Sequence, residues 1–329
     1  MFYKRKVSLI LVAAFLAAIF MCGCSQPTDE GEEVKVEENT FSIHFIDVGQ
    51  GDCIFARFSD GKTMLVDCGP NDENIANKII KFIKGANVDT IDYFVLTHPD
   101  GDHVGNAVKI MSSFNIGTAY LPDIYEGHFN LYSHYKAAEF YIRNNNISVN
   151  RSDCYDIIQG SDYNVVFLAP QPKAINGSAY RDFNSAQTPT DTQANALSSV
   201  IYIEAQGVRC LLTGDLTSTQ EIKMLNSLQM LKFHHDYYNI SVDLNNIDFL
   251  KVAHHGADSS SCDEFLMQIR PINAIISVGG NNFYGHPSMQ VLNRLYLVNP
   301  LINVYRTDVS GTISVTALGE GKYKVKTAA

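Results

Sequence analysis

Ile91-Asp92-Tyr93-Phe94-Val95-Leu96-Thr97-His98-Pro99-Asp100-Gly101-Asp102-His103 is the stretch that decides how this chain folds. Its first half, Ile91 to Leu96, is a short run of β-branched and aromatic residues, the composition of a strand. Four residues able to bind a metal, His98, Asp100, Asp102 and His103, follow directly. The proline and glycine among them let the loop curl these side chains around a common point. Imidazole and carboxylate are the donors that zinc, manganese and iron sites use.

Three other apolar strands end in the same kind of residue. Leu211-Leu212-Thr213-Gly214-Asp215 closes on a carboxylate well placed to bridge two metals. Phe249 to Ala253 closes on His254-His255-Gly256. Leu65-Val66-Asp67-Cys68-Gly69 closes on Asp67, which could orient a metal-bound histidine from behind. Ionisable groups at the ends of buried strands are costly unless something compensates their charge, and a shared metal centre does so. The remaining histidines read more plainly. His44 alternates within a strand, His128 and His134 read as exposed helix or loop residues, and His234-His235 lies in a polar segment.

Around these ends the chain alternates between strands and helices. Strands are expected at Ser42 to Val48, Cys53 to Phe58, Thr63 to Asp67, Val165 to Leu168, Ser199 to Glu204, Arg209 to Leu212, Ala274 to Val278, Asn303 to Thr307 and Thr312 to Thr316. Asp60-Gly61 makes a hairpin turn between the second and third. Asn74 to Lys84, with Ile75, Ile79, Phe82 and Ile83 at helical spacing, reads as a helix. Leu131 to Arg143 and Ser218 to Leu231 read likewise, and Gln171 to Gln193 as a long surface loop near the site. Hairpins mixed with strand–helix–strand units predict an α/β sandwich, with two facing mixed sheets and helices outside.

The start of the chain stands apart from this domain. Lys4, Arg5 and Lys6 precede an apolar run from Val7 to Met21, too short for a span of about 20 residues but suited to a secretion signal. It ends at Met21-Cys22-Gly23-Cys24, resembling a lipoprotein signal in which Cys24 is lipidated. Residues 1–24 are therefore expected to be a signal peptide, 25–40 an acidic disordered tether, and 41–329 the folded domain. The expected location is the outer face of a bacterial membrane, with contact through the lipid anchor alone and no stable protein partner.

The whole chain has 25 basic and 35 acidic residues, net −10. Without Lys4, Arg5 and Lys6 the balance is 22 against 35, net −13. Such acidity argues against a tight, sequence-independent grip on a phosphate backbone, although metal ions can supply positive charge locally. Cys53, Cys68, Cys154, Cys210 and Cys262 show no regular spacing, so they form no disulfide framework. Cys53 and Cys68, in neighbouring strands, are close enough in the expected topology to pair.

Taken in order, Asp47-Val48-Gly49-Gln50-Gly51-Asp52, Leu65 to Gly69, the His98 to His103 loop, Thr213-Gly214-Asp215 and His254-His255-Gly256 resemble the motif series of the metallo-β-lactamase superfamily. The wording is similar to the branch that contains the extracellular or periplasmic domain of the DNA-uptake protein ComEC. The likeness extends through Asn281, Tyr284-Gly285-His286-Pro287 and Arg306-Thr307-Asp308, and so covers roughly Phe41 to Val315. The resemblance implies an αββα sandwich and two divalent metal ions, zinc first and manganese as the alternative. His98 and Asp100 would hold one; Asp102, His103 and His254 the other; Asp215 would bridge both. His254 is preferred to His255 as the ligand. His255 and His286 would then face the substrate as polarising or proton-donating groups. A further histidine ligand usual in the superfamily has no counterpart. Asn195 occupies the matching region, which implies a weaker first site or a harder metal.

A two-metal centre activates water for attack on phosphorus or a carbonyl carbon, with Asp102 also able to accept a proton. The resemblance favours phosphodiester hydrolysis, on nucleic acid, a nucleotide or an envelope phosphodiester. Ester, lactone or β-lactam hydrolysis on the same centre is the alternative enzyme, and a non-catalytic metal-binding envelope lipoprotein the alternative class.

Overall fold

Several strands of this chain are apolar on both faces, which requires two sheets enclosed by further layers. In Thr63–Val66 (β3), Met64 and Val66 enter the core between the sheets, while Leu65 points to the opposite side, among helices. The computed structural model describes residues 39–122, 124, 132–152, 156–170, 191–227 and 242–329. The expected signal with Cys24, residues 25–38 of the tether, His128, Cys154, residues 171–190 and His234-His235 lie outside the described residues.

Among the described residues the first sheet has eight strands, with β1 (Ser42–Phe45), β2 (Ile54–Arg57) and β3 running as an antiparallel set. β4 (Thr90–Val95), β5 (Asn115–Leu121) and β6 (Ser148–Arg151) add to β3 in parallel. On the far side of β1 lie β14 (Ile313–Gly319) and β15 (Lys322–Thr327). The second sheet has seven strands among the described residues. β7 (Ile157–Gln159), β8 (Tyr163–Ala169), β9 (Val200–Ala205) and β10 (Val208–Leu212) form its antiparallel half. β11 (Phe249–Lys251), β12 (Asn273–Ile276) and β13 (Asn303–Arg306) continue it in parallel.

Phe45, Ile54, Val95, Phe167, Ile203 and Phe249 belong to the core between the sheets. Outside the first sheet pack α1 (Glu73–Gly85), α3 (Ala107–Ser113) and α4 (Ser133–Asn144), through Ile79, Ile110 and Ile142. Outside the second pack α6 (Asp263–Ile269) and α7 (Met289–Val298), through Leu266 and Leu295. The result is the expected αββα sandwich. The short helices α2 (Gly101–Val104), α5 (Asp191–Asn195) and α8 (Thr307–Ser310) complete the labelled elements, and residues 218–227 are also helical.

β5, β6, β7 and β15 are strands that the sequence pattern does not predict, and several expected boundaries shift. The first strand stops at Phe45 rather than Val48, because Ile46 closes a turn onto Cys53 (N–H to O, 2.9 Å). The strand expected to reach Ala253 stops at Lys251, since His254 and His255 take left-handed backbone angles (φ 51° and 55°). Asp191 to Gln193, expected in the long loop, begins helix α5. Cys53 and Cys68 are both buried free thiols, so the pairing that neighbouring strands leave open is not made.

The helical run 218–227 carries one buried carboxylate. Glu221 accepts from the backbone N–H of Ser261 (2.6 Å) and Cys262 (2.9 Å), holding the turn before α6. Burial pushes its carboxyl up to about 7, against the opposing pull of those two donors. Below its ordinary value of 4.5 the group is neutral in folded and unfolded chain alike. Between there and pH 7 the unfolded chain ionises first, so stability falls as pH rises, by roughly 3 kcal/mol in total. Glu221→Gln removes this term. The melting temperature of that variant relative to the parent is expected to rise from pH 5 to pH 8, and a difference independent of pH would contradict it.

Candidate metal centre

β3, β4, β10 and β11 end at the same rim, and that common end brings together residues far apart in sequence. Asp67 follows β3, the His98–His103 loop follows β4, Asp215 follows β10 and His254-His255 follow β11. Backbone bonds stitch the loops to each other: Cys68 N–H to His103 O (2.8 Å), Gly69 N–H to Asp52 O (2.8 Å) and Gly105 N–H to Gly69 O (3.0 Å). Gly51 (φ +133°) sits so near that a Cβ would lie 2.2 Å from the Asp102 carbonyl oxygen. Only glycine allows that approach.

Hydrogen bonding decides which nitrogen of each buried histidine faces the centre. Asp67, fully buried, accepts from Thr97 N–H (2.8 Å), the Thr97 hydroxyl (2.7 Å) and His103 Nδ1 (2.8 Å). The single hydroxyl proton of Thr97 goes to that carboxylate, so His98 Nδ1, 3.0 Å away, must donate to Thr97 Oγ1. His255 Nδ1 donates to the Ser277 carbonyl (2.8 Å). In all three rings Nδ1 is engaged and Nε2 is the atom presented inward.

Those three Nε2 atoms converge on Asp215. His103 Nε2 is 3.3 Å from Asp215 Oδ1, His255 Nε2 is 3.6 Å from Oδ2, and His98 Nε2 is 3.8 Å from Oδ2. Asp102 lies 3.3 Å from His255 Nε2, and Asp100 3.7 Å from His98 Nε2. Nε2 of His98, His103 and His255 and Oδ1 of Asp215 are buried without a hydrogen-bond partner. Buried polar atoms are rarely left so, and donor atoms converging at these distances fit divalent metal ions. His98, His103 and Asp215 form one set of potential ligands, and Asp102, His103 and His255 another.

Charges within the cluster hold it together electrostatically. Burial works against an imidazolium at His103 and His255, but Asp215 and neighbouring carboxylates outweigh it and raise both above the ordinary value. Burial likewise opposes ionisation of Asp215 and Asp102, yet the facing histidines hold both carboxyls down. His98, where burial and His103 act together, is lowered to about 3 and stays neutral. At Asp67, burial raises the carboxyl despite the pull of His103.

The expectation has His254 as the ligand and His255 facing the substrate, and the two rings lie in the opposite sense. Only 2% of the His255 side chain is exposed and it meets Asp102; 28% of His254 is exposed. The successive left-handed residues 254 and 255 send the rings apart, with His255 inward and His254 toward the mouth. There His254 Nε2 lies 3.4 Å from the Asn195 amide and 3.7 Å from Asp215 Oδ2. Its ring is edge-on to His286 (5.6 Å), which stacks with Tyr284 (5.6 Å, 23°). A cavity of about 670 Å³ opens over these groups, lined among others by Asp100, Asp102, Asn195, His254, Tyr284 and His286.

The structure adds a residue that sequence reasoning passed over. Lys251 is completely buried, and its Nζ lies 2.8 Å from Asp52 Oδ2. Oδ1 of the same carboxylate is 3.5 Å from His255 Nδ1. Asp52 closes the Asp47-Val48-Gly49-Gln50-Gly51-Asp52 motif. The available signal was a lysine in an otherwise apolar strand, Phe249-Leu250-Lys251-Val252-Ala253, since a buried charge requires a partner. His44, by contrast, is buried between Ser42 and Ser314 hydroxyls, remote in role from the centre.

Residues 46–280 match the model of the metallo-beta-lactamase superfamily. The chain is 28% identical to ComE operon protein 3 of Bacillus subtilis (strain 168) over 333 residues, covering 94% of this chain and 36% of that protein. It is 27% identical to Competence protein ComA of Neisseria gonorrhoeae over 292 residues, covering 88% of this chain and 34% of that protein. It thus spans about a third of the length of these relatives. Among solved structures it is similar in fold to CmlA, a diiron beta-hydroxylase from Streptomyces venezuelae, with a TM-score of 0.51 at 14% identity, covering 86% of this chain and 54% of that one.

Two outcomes follow from the geometry of the centre. Lys251→Met leaves Asp52 buried and uncompensated and is expected to cost about 3–5 kcal/mol in denaturant unfolding, part of it recovered by adding Asp52→Asn. Asp67→Ala frees the ring of His103 and is expected to weaken metal affinity by roughly 10- to 100-fold in competition with a chelator. Unchanged affinity would mean that Asp67 does not orient His103.

Proposed function

The chain belongs to the metallo-beta-lactamase superfamily, in its ComEC-like branch, and from that premise we propose that it is a metal-dependent phosphodiesterase. The observation that carries this reading is the convergence of three unpartnered imidazole nitrogens and Asp215 beneath an open cavity. His98, Asp100 and Asp215 would hold one divalent ion; Asp102, His103, His255 and Asp215 the other. When bound, such ions polarise a phosphoryl oxygen and bring the pKa of water towards neutrality.

Protein groups provide orientation and proton handling. Asp102, 33% exposed and held as a carboxylate by His103 and His255, is positioned to accept a proton at the cavity floor. His286, lowered to about 4 by burial and by His254, is neutral at physiological pH. It therefore orients or polarises a substrate oxygen as a neutral ring rather than as a cationic acid. His254, also depressed by burial, does the same from the Asn195 side. Asn195 stands where the superfamily more often has histidine, which favours zinc at the His103–His255 site and a harder ion such as manganese at the other.

The acidic balance of the chain suits a small or locally neutral diester better than a long duplex gripped along its phosphates. The basic and apolar start of the chain and Cys24 support export and lipid anchoring at the outer face of the bacterial cell membrane. Labelling with a fatty-acid analogue that persists in Cys24→Ser would overturn that part.

For the activity, metal content and hydrolysis of bis(p-nitrophenyl) phosphate are measured together. About two ions per chain, with turnover reduced by roughly a hundredfold or more in Asp102→Ala, are the expected result. Preferential turnover of a lactone or β-lactam would replace the phosphodiester reading. Metal bound without turnover of any of these would leave a binding lipoprotein.

A further inference from the structure

The loop from Gly279 to Pro287 presents aromatic rings at the edge of the cavity and is braced from within. Asn282 Nδ2 donates to the carbonyls of Gly279 (2.7 Å) and His286 (2.8 Å), while its Oδ1 accepts from His286 N–H (2.9 Å). At its base, Gly279 N–H donates to Gln50 Oε1 (3.2 Å), and Thr307 bonds both N–H and C=O of Val278. So held, Tyr284 rests against His286 and lines the cavity, yet remains 72% exposed; Phe283 beside it is fully exposed. A large ring stacked on a cavity residue, with much of its own surface open, offers a flat apolar face beside the site. Among the described residues lining this cavity there is no lysine or arginine, so a substrate phosphate finds neither an ammonium nor a guanidinium group there.

We propose that Tyr284 is a stacking platform for the nucleobase adjoining the phosphate held at the metal centre. The inference rests on the phosphodiesterase reading above and specifies its substrate as a nucleotide or single-stranded nucleic acid. Every base has a π-face, so a tyrosine accepts any base at a given position. Stacking also supplies affinity that this acidic protein cannot draw from ion pairs along a backbone. Base recognition at Tyr284 and phosphate capture at the centre are thus separate contributions.

Calorimetric titration of the metal-loaded protein with thymidine 5′-monophosphate and with inorganic phosphate separates them. The nucleotide is expected to bind roughly tenfold more tightly than phosphate. Tyr284→Ala should remove most of that preference while leaving phosphate affinity and metal content unchanged, and Tyr284→Phe should retain it. Equal affinities in the parent, or a preference that survives Tyr284→Ala, would overturn the proposal. A parallel fall in phosphate affinity would do so too, because Tyr284 would then be shaping the centre itself. Failure of bis(p-nitrophenyl) phosphate hydrolysis alongside a Tyr284-dependent nucleotide preference would refute phosphodiesterase activity and leave the base platform standing.

Discussion

Asp215 is the point at which both halves of the molecule meet. It hangs from β10 in the second sheet, and it faces His98 and His103, which hang from β4 in the first. A carboxylate 3% exposed is tolerated there because imidazoles surround it on several sides. The same imidazoles are costly to bury with their inward nitrogens unpaired, so each side requires the other. A divalent ion at this point would neutralise the carboxylates and complete the valence of the rings. The centre therefore crosslinks the two sheets at one rim.

Behind this meeting point, further groups fix the ligands in place. Asp67 collects three donors, and through Thr97 and His103 it determines which nitrogen of two histidines faces inward. Lys251 and Asp52 form a fully buried ion pair under His255, and Ser277 fixes that ring through its carbonyl. Backbone geometry contributes as well. Asp67, His254 and His255 all sit at positive φ, a conformation that costs non-glycine residues free energy and is maintained by the surrounding packing. Strain concentrated at one rim is the usual mark of a site built for binding.

Legibility in the sequence varied with how local the determining interaction is. The hairpin at Asp60-Gly61, the helix with Ile79 and Ile83, and the apolar strands ending in ligands are all written in neighbouring residues. β5 and β6 were not anticipated. Asn115-Ile116-Gly117-Thr118-Ala119-Tyr120 is neither strongly alternating nor strongly apolar, and it becomes a strand because β4 offers a parallel edge. The choice between His254 and His255 was equally out of reach, since two adjacent histidines differ only in the backbone angles that a tertiary turn imposes. Lys251 left a faint trace, a charge inside an apolar run, but its partner lies in a loop almost 200 positions earlier.

From its sequence alone this chain determines an αββα sandwich and the identity of most donor atoms, because strand periodicity and ligand chemistry are carried by short stretches of residues. Tertiary structure alone decided which histidine turns inward, which nitrogen it presents, and what neutralises Asp52. Those outcomes depend on distances between loops on different sheets, which close only when the two sheets have packed.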